Sequence, residues 1–354
     1  MITADQLWKS APRGRLKTGI GSLPHHNVDS AIEYAFQHSI PFLPQIPIRN
    51  AAEFMLAQAL DGLPGLIAGK DGHAAIDPER WAAGSHSLQQ QLDQAFSKAL
   101  DEQGAFEEFE PQAHANSCWR PFLYELTERT DPQSSTLAKV EIAGPLTCQW
   151  AIQIIGDRPL SAALSSDLES QIYRLILARA ISMGRRLQKR GATPLLYLDE
   201  PALYVFSKQN PKHILAFQEL RLMIQALRKE SVLVGLHCCS NTDWEAVLSL
   251  DLNVISLDTH LSLADFLKHQ TAVTAFIEKG GRLSLGLVPT ARPLPELEQM
   301  KAADLEAELM ETAQKAWEGK KEILARALNE AIYTPSCGLA LETPACAEKI
   351  LGLL

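Results

Sequence analysis

The apolar run 232–236 ends directly in His237, Cys238 and Cys239. On extended backbone successive side chains alternate between faces, so His237 and Cys239 point to one side and Cys238 to the other. An imidazole nitrogen and a thiolate spaced in this way can grip one metal ion. Two further apolar runs end in the same fashion: 254–257 leads into Asp258, and 332–336 leads into Cys337. One nitrogen and two sulfurs, joined by a carboxylate oxygen from Asp258, form a zinc ligand set. Free cysteine is also common as core filler, the role expected of Cys118, Cys148, Cys238 and Cys346.

Ligands so far apart in the chain meet only if the strands that carry them end at the same place. Strands are expected over 18–24, 41–45, 138–143, 194–198, 232–236, 254–257, 282–288 and 332–336, each followed by a helical pattern. Val-, Ile- and Leu-rich runs alternating with helices indicate a parallel sheet buried on both faces. Eight such units in 354 residues favour an α/β fold of the closed (β/α)8 TIM-barrel type over an open sheet. All strand C-termini of such a barrel share one rim. Ser22, Gln45, Trp150, Asp199, His237, Cys239, Asp258 and Cys337 would then face one another.

The whole chain, 1–354, reads as a single catalytic barrel domain. The stretch from about 60 to 130 does not fit one strand–helix unit and is expected to be an insertion after the second strand that caps the mouth. Around it, 51–60 and 87–101 read as helices and 119–126 as an apolar segment of open type. Residues 160–190 read as one long helical segment, with a possible break near Asp167.

Composition excludes several functions. The formal net charge is −9 with no basic cluster, which argues against nucleic-acid binding. No apolar run approaches a membrane span, and the first residues do not read as a signal peptide. Six cysteines in a chain of this length are not a disulfide framework and suit a reducing cytoplasm.

Five segments in order, each at a strand end, carry a family resemblance. They are Ile20-Gly21-Ser22, Asp199-Glu200-Pro201-Ala202-Leu203, His237-x-Cys239, Val254-Ile255-Ser256-Leu257-Asp258 and Ser336-Cys337-Gly338-Leu339. Together they resemble the catalytic C-terminal barrel of cobalamin-independent methionine synthase, within the wider superfamily that includes uroporphyrinogen decarboxylase. The resemblance implies a methyltransferase that forms methionine from homocysteine. His237, Cys239 and Cys337 would be zinc ligands. Asp258 stands where the family has a glutamate ligand, one carbon longer. Ile20, Gly21 and Ser22 would hold the homocysteine carboxylate, and Asp199 its ammonium. The family's second acid for that ammonium has no clear match, Gln45 and Glu53 being the nearest residues. Trp150 falls near the tryptophan on which the family stacks a pterin. No role is assigned to His25 or His26.

Two departures bear on the methyl donor. The family's proton-donating histidine after strand seven is missing from 286–291, and Val205 replaces an acid six positions beyond Asp199. Both family groups serve a folate donor. A tertiary amine leaves poorly unless protonated, whereas cob(I)alamin leaves as a stabilised anion without an acid. The sequence therefore resembles the single-barrel core form of the enzyme. It implies methylcobalamin or a corrinoid protein as donor rather than methyltetrahydrofolate. Zinc would deprotonate the acceptor thiol, whose ordinary pKa of about 8.5 leaves it a poor nucleophile at neutral pH. Three other readings remain open: a zinc methyltransferase for another thiol such as coenzyme M, a metal-free decarboxylase of the uroporphyrinogen type, and a non-catalytic corrinoid-binding module.

Overall fold

The computed structural model describes residue 8 and residues 15–99, 104–129, 136–155, 160–161 and 166–354. Its strands are β1 (Leu16–Lys17), β2 (Leu66–Ala68), β3 (Ala74–Ile76), β4 (Thr136–Ala143), β5 (Gln153–Ile154), β6 (Leu160–Ser161), β7 (Ala192–Asp199), β8 (Leu233–Cys238), β9 (Val254–Asp258), β10 (Arg282–Val288) and β11 (Ile332–Pro335). Seven of them form an all-parallel, curled sheet in the order β1-β11-β10-β9-β8-β7-β4. Helices cover its outer side. Ser166–Lys189 packs on β7 and β4, Pro211–Lys229 on β8, and Ala302–Ala316 with Lys321–Asn329 on β10.

The regular sheet does not close. Where an eighth strand is expected, residues 40–45 run between the two edges and make single bridges, Ser22 to Gln45 and Phe42 to Lys139. Ile40 N donates to Lys17 O on one side (2.9 Å), and Leu43 N donates to Lys139 O on the other (2.9 Å). Pro41 and Pro44 explain the irregularity, because neither has an N–H to give a ladder. The architecture is an α/β half-barrel of seven parallel strands, consistent with a TIM-like barrel but not the closed (β/α)8 form that the sequence favours.

The inside of the curl is layered. Leu16, Ile40, Leu137, Leu195, Leu233, Val254 and Ile332 form an apolar cluster with Trp8 and Tyr197, separate from the main core. Six strands of the sheet each give one inward residue from their N-terminal half. This plugs one end and leaves the C-terminal rim for chemistry. One pleat further on lie Lys139, Ser256 and Ser284, all without solvent exposure.

Three helical expectations shift. The helix expected from 87 begins at Pro78, with Asp77 accepting from Glu79 N and Arg80 N, and ends at Lys98. Leu160–Ser161 is a strand paired antiparallel with β5, and the long helix starts at Ser166. Residues 119–129, ambiguous in sequence, are a helix that buries Trp119, Phe122, Leu123 and Leu126. A second sheet, β2-β3-β5-β6, joins residues 66–76 to 153–161. No helix among the described residues is long and apolar enough to cross a membrane.

Arg179 ties residues 58–109 to the long helix. Its guanidinium is buried and donates to the carbonyls of Gln58 (3.0 Å), Ala59 (2.5 Å), Asp61 (2.6 Å) and Phe109 (3.2 Å). Burial lowers its pKa to about 10, so it is still charged at neutral pH. Replacing Arg179 with Leu strands several carbonyls, at about 1–3 kcal/mol for each one left buried. Urea unfolding of Arg179→Leu should show a loss of at least about 3 kcal/mol.

Candidate metal centre

β8 places His237 and, just past its end, Cys239. The loop after β11 places Cys337. Their ligand atoms lie within 4.8 Å of one another. His237 Nδ1 meets Ser256 Oγ of β9 at 2.9 Å, a contact fixed by the register that pairs His237 with Ser256. The other ring nitrogen, Nε2, is buried and has no protein partner. A buried nitrogen without a partner costs free energy unless something binds it. The neighbouring Cys337 thiol is the main cause that lowers the pKa of Cys239; the Cys239 thiol, with burial adding, raises that of Cys337, and the His237 imidazole beside it opposes the rise. An oriented imidazole and two adjacent sulfurs fit a thiophilic dication, with one position left for a substrate.

Asp258 stands outside this cluster. Its Oδ1 accepts from His260 N (2.8 Å) and Leu261 N (3.1 Å), which starts the turn after β9. With two backbone donors it acts as a turn cap in this arrangement.

The segment 20–22 lies close to the cluster. Ser22 Oγ sits over Gly338, where a Cβ would come within 2.1 Å of it, and Ser22 O accepts from Leu339 N (2.8 Å). Gly21 is needed for a close approach, but by a side chain of this chain. A Cβ there would lie 1.8 Å from Glu141 Oε1. Asp199 ends β7 beside His237 in register. It is buried, its Oδ1 has no partner, and its pKa is raised well above the carboxylate range by burial and then by Glu141.

Other expected residues lie elsewhere. Trp150 stacks on His213 (centroids 4.5 Å apart, planes at 31°) in a crevice of about 540 Å³ that also exposes Glu169 and Glu219. Gln45 donates to Gln58 Oε1 (2.5 Å). Glu53 accepts from Ile46 N (2.9 Å) and Ser117 Oγ (2.7 Å), a tie between loops. His25 is buried against Tyr34, and His26 is exposed. Glu200 is wholly buried. It accepts from Leu146 N, Thr147 N and Thr147 Oγ, and so caps the helix that carries Trp150. A side chain at Gly144 would collide with it.

Sequence reasoning passed over Lys139 and Glu141. Lys139 Nζ donates to Glu141 Oε2 and to Ile20 O, each at 2.5 Å, with no solvent exposure. The signal was present: two charges at period two in a strand buried on both faces must point into the barrel. Ser256 was read only as part of a resemblance.

No protein-family model and no curated protein matches the chain. Among solved structures, a methyltransferase from Methanosarcina mazei aligns over 99% of this chain and 98% of its own, with a TM-score of 0.53 and 14% identity. A protein from Listeria monocytogenes, provisionally named a vitamin-B12 independent methionine synthase, aligns over 96% and 97% with a TM-score of 0.47 and 13% identity. The first likeness shows a shared fold along nearly the whole chain.

Removing the Ser256 hydroxyl frees the His237 ring to rotate. Ser256→Ala should weaken zinc binding by about 10- to 100-fold, read by competition with a chromophoric chelator, while the fold is retained.

Proposed function

We propose that this protein is a zinc-dependent methyltransferase that methylates the thiol of homocysteine. The observation that carries the proposal is the cluster of His237, Cys239 and Cys337, with His237 Nε2 buried and unpartnered. These three side chains would hold the ion. A bound zinc supplies thiolate formation at neutral pH. Ser256 orients the imidazole. The backbone and hydroxyl of Ile20, Gly21 and Ser22 would meet the acceptor's carboxylate, and Asp199 its ammonium. Asp258 keeps its turn-capping role while the acceptor is absent.

The donor is a methylcorrinoid, methylcobalamin or a corrinoid protein, rather than methyltetrahydrofolate. Residues 286–291 offer no acid to protonate a departing amine. The region of about 60–130 is assigned to cap the mouth. All six cysteines are free, which suits a reducing cytoplasm. Coenzyme M as acceptor is disfavoured because it has no amino-acid group for Ser22 and Asp199 to hold.

Protein purified without added metal should contain about one zinc per chain, and Cys337→Ser should lose most of it by elemental analysis. No zinc in fresh reduced protein would leave the cysteines as packing. Zinc-loaded protein should form methionine from methylcobalamin and homocysteine faster than from methyltetrahydrofolate. Equal rates would overturn the donor assignment.

A further inference from the structure

We propose that the outer face of the helix Pro211–Lys229 is the interface of a homodimer, in which the same helix of a second copy packs alongside it in parallel about a twofold axis. The proposal is independent of the methyltransferase reading and goes beyond it.

The helix has 19 residues and buries Phe217, Leu220, Met223, Ile224 and Leu227 on its inner side. A helix on the outside of a barrel usually carries charges on the face turned away from the sheet. Here the exposed positions between Lys212 and Lys229 are Ile214, Leu215, Gln218, Leu222 and Gln225, and none is charged. Leu215 is 61% exposed and Leu222 58%. With 3.6 residues per turn, Leu215, Gln218, Leu222 and Gln225 fall in one stripe, at the spacing of a helix-pairing seam. Tyr204 and Val205 are exposed just ahead of the helix, and Val205 lines one crevice with Leu215, so the patch is continuous. Five of the twelve large apolar side chains exposed among the described residues thus belong to this flank of the molecule. A contiguous apolar patch of this kind marks a surface that is covered.

The flanking charges select a second copy as the occupant. Glu219 lies on one side of the stripe and Arg221 on the other, about 3 Å apart along the helix axis. Glu219 is half-buried, burial raises its pKa, and it meets the Gln149 amide at 3.5 Å. It also repels Glu169 in the same crevice. Arg221 donates to Ser249 O (2.9 Å) and Ser249 Oγ (3.0 Å), both neutral. Among the described residues neither Glu219 nor Arg221 has an ion-pair partner.

In a parallel pair about a twofold axis along the seam, each flank of one helix meets the opposite flank of the other. Glu219 then faces Arg221 of the second copy, once on each side, while Leu215 and Leu222 meet their own counterparts. An antiparallel pair would bring like flanks together and set Glu219 against Glu219. The pattern is self-complementary in the parallel arrangement alone, as with the flanking charges of a coiled coil. A seam one helix wide and about 28 Å long is smaller than the roughly 800 Å² per partner of a standard interface, so the dimer should have micromolar affinity.

The test is sedimentation velocity of the full chain from about 1 to 200 µM, a range that brackets such an affinity. Unmodified protein is compared with Leu222→Glu, Arg221→Glu and the double variant Glu219→Arg/Arg221→Glu. Leu222 is exposed, so a charge there leaves the fold intact, which circular dichroism checks. Unmodified protein should dimerise within the range, and Leu222→Glu should stay monomeric. Arg221→Glu sets like charges opposite each other on both flanks and should weaken the dimer about tenfold. The double variant re-forms both pairs with the charges exchanged and should recover most of that loss. A monomer throughout the range, or a dimer that survives Leu222→Glu, overturns the proposal. A double variant no tighter than Arg221→Glu overturns it as well.

Discussion

Asp199 pairs with His237, and His237 with Ser256, across three neighbouring parallel strands. That register carries the site. It sets the acid beside the imidazole and the hydroxyl behind it, and it turns Nε2 toward the thiols. A slip by one residue would turn all three side chains outward into helix packing. The apolar layer beneath them makes such a slip costly, because Leu195, Leu233 and Val254 would leave the interior together. The same packing that closes the lower end of the curl thus holds the ligands at the upper end.

Above that layer the interior is strongly polar for a barrel core. A fully buried ammonium is tolerated only where it is paired and hydrogen-bonded, and Lys139 has both a carboxylate and a carbonyl. Glu200 is satisfied by backbone donors at a helix start. Asp199 and His237 Nε2 differ, since each keeps a buried polar atom without a partner. Native folds satisfy most buried polar groups, and these two orphans lie side by side at a strand rim. Stability and function are separated by height in the barrel: the lower layer packs, the middle layer pairs its charges, and the rim leaves atoms free.

A nitrogen and two sulfurs within 4.8 Å of one another make a group that suits a soft metal ion. The fold shared with the methyltransferase of Methanosarcina mazei supplies the scaffold.

Six of the eight strand positions, the parity of their side chains and the grouping of His237, Cys239 and Cys337 were legible in the sequence, because alternation and apolar runs are local properties of a chain; the first strand lies at Leu16–Lys17 rather than 18–24, and 40–45 is no regular strand. Parity puts Lys139 and Glu141 on one face of their strand, but only the tertiary structure shows that this face is the inner one. Tertiary structure decided the rest. It brought Cys337 onto the far strand's imidazole and held Asp258 on the backbone N–H groups of its own turn. It placed Trp150 against His213 and set Glu141 over Gly21. Each of these depends on how far the sheet curls and on which of several donors reaches a side chain first. Through-space competition of that kind has no period in the sequence. The irregular 40–45 segment shows the boundary between the two: its prolines announced a broken strand, but only the curl of the sheet decided that a broken strand would suffice to bridge the two edges.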